Sequence, residues 1–66
     1  MKIVLNGQGH EIVAPLSLAQ LLATAGYADR RVAVEVNGEI VPRSQHAKRV
    51  IDAGDHVEIV HAIGGG

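Results

Sequence analysis

Few residues in this 66-residue chain could do chemistry, and spacing disqualifies most of them. There is no Cys, so thiolate nucleophiles, thiolate metal sites and disulfides are absent together. His10, His46, His56 and His61 are the nitrogen ligands that remain. His56 and His61 stand five apart on a predicted strand and leave it on opposite faces, so no shared ion is expected, and all four read as solvent-exposed strand and turn residues. The hydroxyls of Ser17, Thr24, Tyr27 and Ser44 have no His at an interpretable spacing and no G-x-S-x-G elbow around them. Asp52 and Asp55 read as decoration of a turn rather than an acid/base pair. Gly7-Gln8-Gly9 lacks the third glycine of a dinucleotide fingerprint and leads into a strand, and there is no G-x-x-x-x-G-K-[ST] phosphate loop. The chain has no recognisable ATP site of its own.

The run Gly64-Gly65-Gly66 is different. On composition alone a frayed tail accounts for it as well as a functional one does, but it follows directly on a predicted strand and reads as a thin flexible extension of a rigid element. Three residues without Cβ atoms reach about 10 Å when extended and can thread a narrow tunnel or lie against a catalytic backbone. What such a tail delivers is its own end, the α-carboxylate of Gly66. An ionised carboxylate resists nucleophiles, because attack adds electrons to an anion. Joined to the α-phosphate of a nucleotide, it becomes a mixed anhydride whose acyl carbon a sulfur or nitrogen nucleophile can take, with glycine offering the least hindrance. The activating machinery then has to belong to another protein, and the chain is expected to be a carrier rather than an enzyme.

Composition narrows the classes further. A chain of this length buries only about 60% of the surface its unfolded form exposes, which allows one compact core and no large cleft. Apolar runs stop at three or four residues, far from the roughly 20 that cross a bilayer, and Met1–Leu5 is too short for a secretory signal; the expected location is the cytoplasm. Six basic against seven acidic residues give a formal charge of −1, and there is a single aromatic, Tyr27. Nucleic acid is an unsuitable partner, since there is no excess positive charge to release counterions and no stacking platform.

The elements that must position the tail follow from periodicity. Met1, Ile3 and Leu5 alternate with Lys2, Val4 and Asn6 as in a strand; Asn6–Gly9 supplies a turn, and residues 10–14 resume the extended pattern as the second arm of a hairpin. Ser17 with Gln20 three residues on forms a capping-box signature, Leu18, Leu21, Leu22 and Ala25 fall on one helical stripe, and Gly26 stops the helix. Val32, Val34 and Val36 make the clearest strand, Asn37-Gly38 turns it, Glu39–Val41 returns, and Pro42 ends it. A short helical turn is expected within 44–50, a turn at Ala53–Asp55, and the last strand over 56–63. One helix and one sheet make the fold class α+β. The economical arrangement is a β-grasp: a mixed sheet of four to five strands with one main helix on one face, and the first and last strands parallel at the centre. Met1, Ile3, Leu5, Val57 and Ile59 would face the helix. Residues 1–63 form the domain and residues 64–66 the flexible glycine tail.

Taken together, Met1–Gly7, Val36-Asn37-Gly38-Glu39-Ile40-Val41-Pro42-Arg43, Gly54-Asp55 before the last strand, and Gly65-Gly66 resemble the ThiS family of sulfur carriers within the ubiquitin-like β-grasp superfamily, over the whole chain. That resemblance implies a cycle. A ThiF-type, E1-like enzyme using MgATP would adenylate the Gly66 carboxylate, and sulfur derived from cysteine through a desulfurase-type donor would convert it to a thiocarboxylate. Thiazole synthase, ThiG, would then receive the sulfur for the thiazole ring of thiamine. The chain itself would bind no cofactor. Gly64, Gly65 and Gly66 would form the tail motif, and the absence of Cys protects an activated terminus from internal attack. The sibling MoaD family, serving molybdopterin synthesis, shares fold and tail, and a β-grasp interaction module similar to a TGS-type domain is the reading in which the glycines are only a tail. A docking surface is also expected. With Ile3 and Leu5 inward, Val4 points outward, Val60 should lie near it, and Ala62 and Ile63 continue towards the tail, with Arg43, Lys48 and Arg49 as a polar rim.

Overall fold

The computed structural model describes residues 1–28 and 30–61. Strand β1, Lys2–Leu5, leads into Asn6 and Gly7, whose φ angles of 52° and 79° are both left-handed. Two such residues give the turn whose twist matches the flanking strands, and β2, Gln8–Glu11, returns antiparallel with Lys2 opposite Glu11. The expected four-residue turn and 10–14 strand are therefore displaced. Asn-Gly suffices to reverse the chain, so pairing begins at Gln8 and ends at Glu11, leaving Val13 fully exposed in the connection.

Helix α1, Leu18–Thr24, begins as its sequence requires. The Ser17 hydroxyl accepts from the Gln20 N–H at 3.1 Å, and the Gln20 Oε1 accepts from the Ser17 N–H at 3.0 Å. This reciprocal cap contributes about 1 kcal/mol. The next orphan N–H groups, on Leu18 and Ala19, donate to the carbonyls of Arg49 and His46 at 2.8 and 2.9 Å, so the start of the helix is tied to a distant loop. Beyond the helix, Gly26 adopts φ +90°, as expected of a stop residue. Seven residues are too few to hold a helix in water, and burial of Leu18, Leu21 and Leu22 supplies the stability.

Strands β4 (Val32–Val36) and β5 (Glu39–Val41) form the second hairpin, again over a left-handed Asn-Gly pair with φ of 54° and 85°. After a 3-10 turn at Arg43–Gln45 come β6, Val50–Ile51, and β7, His56–His61. The main sheet runs β2-β1-β7-β4-β5. β1 and β7 are parallel and the other neighbours antiparallel. A parallel pair needs a long crossover, and everything between β1 and β7 in the chain provides it. Ile3, Val34, Val36 and Val57 meet the helix leucines in the core, with Met1, Leu5 and Ile59 packed against it, as the alternation predicts.

Two features depart from the sequence reading. The two-residue strand β3, Leu16–Ser17, pairs with β6 as a separate small sheet where only a break was expected, and it holds Ile51 fully buried under the helix start. His46, read as solvent-exposed, is 8% exposed, with its Nε2 3.0 Å from the Val41 carbonyl oxygen. A carbonyl can only accept, so the contact places a hydrogen on Nε2, and the ring pins the 3-10 segment to the end of β5.

Candidate functional site

The site is the strand that leads to the glycines, together with the open face around it. β7 is the middle strand of the main sheet. Val57 is buried and Ile59 packs against the core, whereas His56, Glu58 and Val60 occupy the alternate positions on the face away from the helix.

Side chains from both Asn-Gly turns secure this strand. Asn6 Oδ1 accepts the Ile59 N–H at 2.7 Å, and Asn37 Oδ1 accepts the His56 N–H at 2.9 Å. Asn37 Nδ2 donates to Asp55 Oδ1 at 3.1 Å, and Asp55 Oδ2 accepts the Asp52 N–H at 2.8 Å. The sequence assigns Asn6 and Asn37 to turns only; asparagine, unlike glycine, adds a side chain able to accept and donate, and that was the available signal. Partial burial acts to raise the Asp55 pKa, but hydrogen bonds from Asp52 and Asn37 and the positive charges of Arg49 and His56 outweigh it and hold the carboxyl below its ordinary value of 3.8. A lowered folded-state pKa contributes stability that is complete above the unfolded value and is lost as pH falls through the folded one. The stability difference between the wild type and Asp55→Asn, measured by urea unfolding, is therefore expected to be largest near neutral pH and to shrink below pH 3.8.

Of the docking residues expected from the sequence, Val60 is 45% exposed, and Val4 is half-buried on the same face. They are not neighbours. The parallel register sets Val4 beside His56, four residues short of Val60, and the cross-strand partner of Val60 is Ala33 on β4. Ile40 on β5, 63% exposed and opposite Glu35, is the second large apolar group on this face and was missed. Arg43 is exposed and lines a shallow cavity with Arg31, Val32 and Ala33, at the end of the sheet where β7 stops. Lys48 and Arg49 line a different hollow, beside Glu39 to Pro42 and Gln45. Ala62, Ile63, Gly64, Gly65 and Gly66 lie outside the described residues. Among the described residues no three His, Asp or Glu side chains converge as metal ligands, and no helix is long and apolar enough to cross a membrane.

A mixed five-stranded sheet over one helix, with the last strand beside the first at mid-sheet, is the β-grasp of the ubiquitin-like carriers. The crystal structure of thiamine biosynthesis protein ThiS from Geobacter metallireducens superposes with a TM-score of 0.89 over the whole of both chains at 30% identity. The sulfur carrier protein ThiS of Escherichia coli is also 30% identical, again across all of both chains. The ThiS family model matches residues 3–66, and the chain belongs to that family. It is also similar, at 46% identity over its full length, to a thiazole synthase of Paramagnetospirillum magneticum, of which it spans only 20%.

Proposed function

We propose that the chain is a non-catalytic sulfur carrier of thiamine biosynthesis whose working group is the Gly66 carboxyl. The observation that carries this reading is the family match running through Gly66, on a fold that places β7, the strand leading to the glycines, at mid-sheet. Chemistry orders the steps. A ThiF-type enzyme holding MgATP joins the carboxylate oxygen to the α-phosphate, and pyrophosphate leaves. Sulfide-level sulfur from a cysteine-derived donor then forms a C–S bond at the acyl carbon, and AMP leaves with the former carboxylate oxygen. The resulting thiocarboxylate donates sulfur to thiazole synthase. This chain supplies the acyl group, the slim Gly64-Gly65 approach to it and the surface by which partners hold it. The similarity to a thiazole synthase five times longer supports that enzyme as a partner. The reading is tested by thiazole formation in a reconstituted system of adenylating enzyme, synthase and sulfur source: turnover is expected to require the chain, and turnover without it contradicts the reading.

Docking rests on the outer sheet face, with Val60 at its centre, Val4 on β1 and Arg43 at the rim; Ala62 and Ile63, which follow in the chain, are assigned to the same docking role. Val60→Glu is expected to weaken binding to the adenylating enzyme at least about tenfold. Unfolding free energy should stay within about 0.5 kcal/mol, as for a surface substitution. Equal losses of binding and stability would mean that Val60 supports the core instead.

A further inference from the structure

The outer face carries a charge arrangement that the free protein does not need. In the β4–β7 register Glu35 stands directly opposite Glu58. Like charges in that position destabilise a sheet. Among the described residues neither carboxylate has an ion-pair partner, and the one ion pair joins the Met1 ammonium to Glu11. Lys2, the basic residue of β1, is turned over Gly9 at the far side. The two acids are half-buried and exposed, respectively, and Ile40 and Val60 stand beside them. At the end where β7 stops, Arg31 and Arg43 share a cavity. Four residues of strand geometry separate Glu35 from Arg31, about 13 Å. The face is therefore acidic in the middle, with His56 on one side of the pair, Ala33, Ile40 and Val60 on the other, and arginines at the end where Arg31 and Arg43 lie.

We propose that this polarity is a docking code for thiazole synthase, whose contact surface presents a cation to Glu35 and Glu58, apolar groups to Ile40 and Val60, and an acid to Arg31 and Arg43. The assignment rests on the carrier reading given above. Its support is the polarity of this face together with the thiazole synthase that matches this whole chain within one polypeptide, where module and enzyme meet at high effective concentration. One orientation satisfies both poles. Turning the carrier end for end sets acid against acid and cation against cation, a mismatch that suppresses the wrong pose. A partner cation between Glu35 and Glu58 also relieves their mutual repulsion, so the complex regains what the free sheet gives up.

The experiment measures the Kd of the full chain for thiazole synthase, alongside thermal unfolding, for wild type, Glu58→Lys, Glu58→Gln and Arg43→Glu. Glu58→Lys turns a repulsive cross-strand pair into an attractive one, so its Tm is expected to equal or exceed that of the wild type. Its Kd is expected to rise at least about tenfold. Glu58→Gln should weaken binding less, Arg43→Glu should weaken it without loss of Tm, and added salt should weaken the wild-type complex. A Kd unchanged in Glu58→Lys, or no salt dependence, overturns the proposal, as does tighter binding by either reversal. Failure of the carrier reading looks different: the wild-type chain would then not support thiazole formation at all.

Discussion

Removing Gly66, or adding one residue after it, is expected to lower sulfur transfer at least about a hundredfold while leaving the fold as it was. Each change moves the carboxyl by about 3.5 Å along the chain, and misplacing a reacting group by even 1 Å can cost about a hundredfold in rate. An added residue other than glycine also brings a Cβ to the acyl carbon, where the passage and the attacking nucleophile both need room. Among the described residues the buried core cluster ends at Val57, with Ile59 packed against it, so changes at Gly66 should alter unfolding free energy by less than about 0.5 kcal/mol. Thiazole formation and urea unfolding, measured on both variants, check this. Transfer retained by either variant would move the working group elsewhere.

Ile3→Ala is expected to have the largest effect on stability. Ile3 is fully buried at the middle of β1, among the helix leucines and the valines of β4 and β7. Truncating a buried Ile to Ala costs about 2–5 kcal/mol in lost transfer energy and cavity. A chain of this size has roughly 3–10 kcal/mol in total. The Tm should fall by more than about 10 °C, with sulfur transfer failing in step with the folded fraction and recovering in the cold. A small shift would mean that the core is less closely packed than the burial of Ile3 implies.

The sequence makes legible those parts of the fold whose physics is local. Ser17 and Gln20 specify a helix start between themselves, two Asn-Gly pairs each dictate a left-handed reversal, and the alternation of Val32, Val34 and Val36 assigns their faces. The parallel placement of β1 against β7 follows from the number of strands and the single helix. Contacts set by distant segments are not written in any window. Leu16–Ser17 and Val50–Ile51 are too short to show a period, and they pair across more than thirty residues. His46 is buried because a 3-10 turn carries it under β5, and nothing beside it in the chain signals that. The neighbour of Val4 depends on the β1–β7 register, which alternation leaves free to slide by whole pairs, so face was readable and position was not. The same holds for the Glu35–Glu58 pair, which exists only once β4 and β7 are aligned.

The most direct test of the account is the intact mass of the chain after incubation with ATP, a ThiF-type adenylating enzyme and a sulfur source, with fragmentation to locate the change. The expected result is a gain equal to one oxygen replaced by sulfur, carried on the Gly66 carboxyl and abolished when ATP is withheld. A folded chain whose mass stays unchanged, although the same enzyme mixture loads sulfur onto Escherichia coli ThiS, would contradict it.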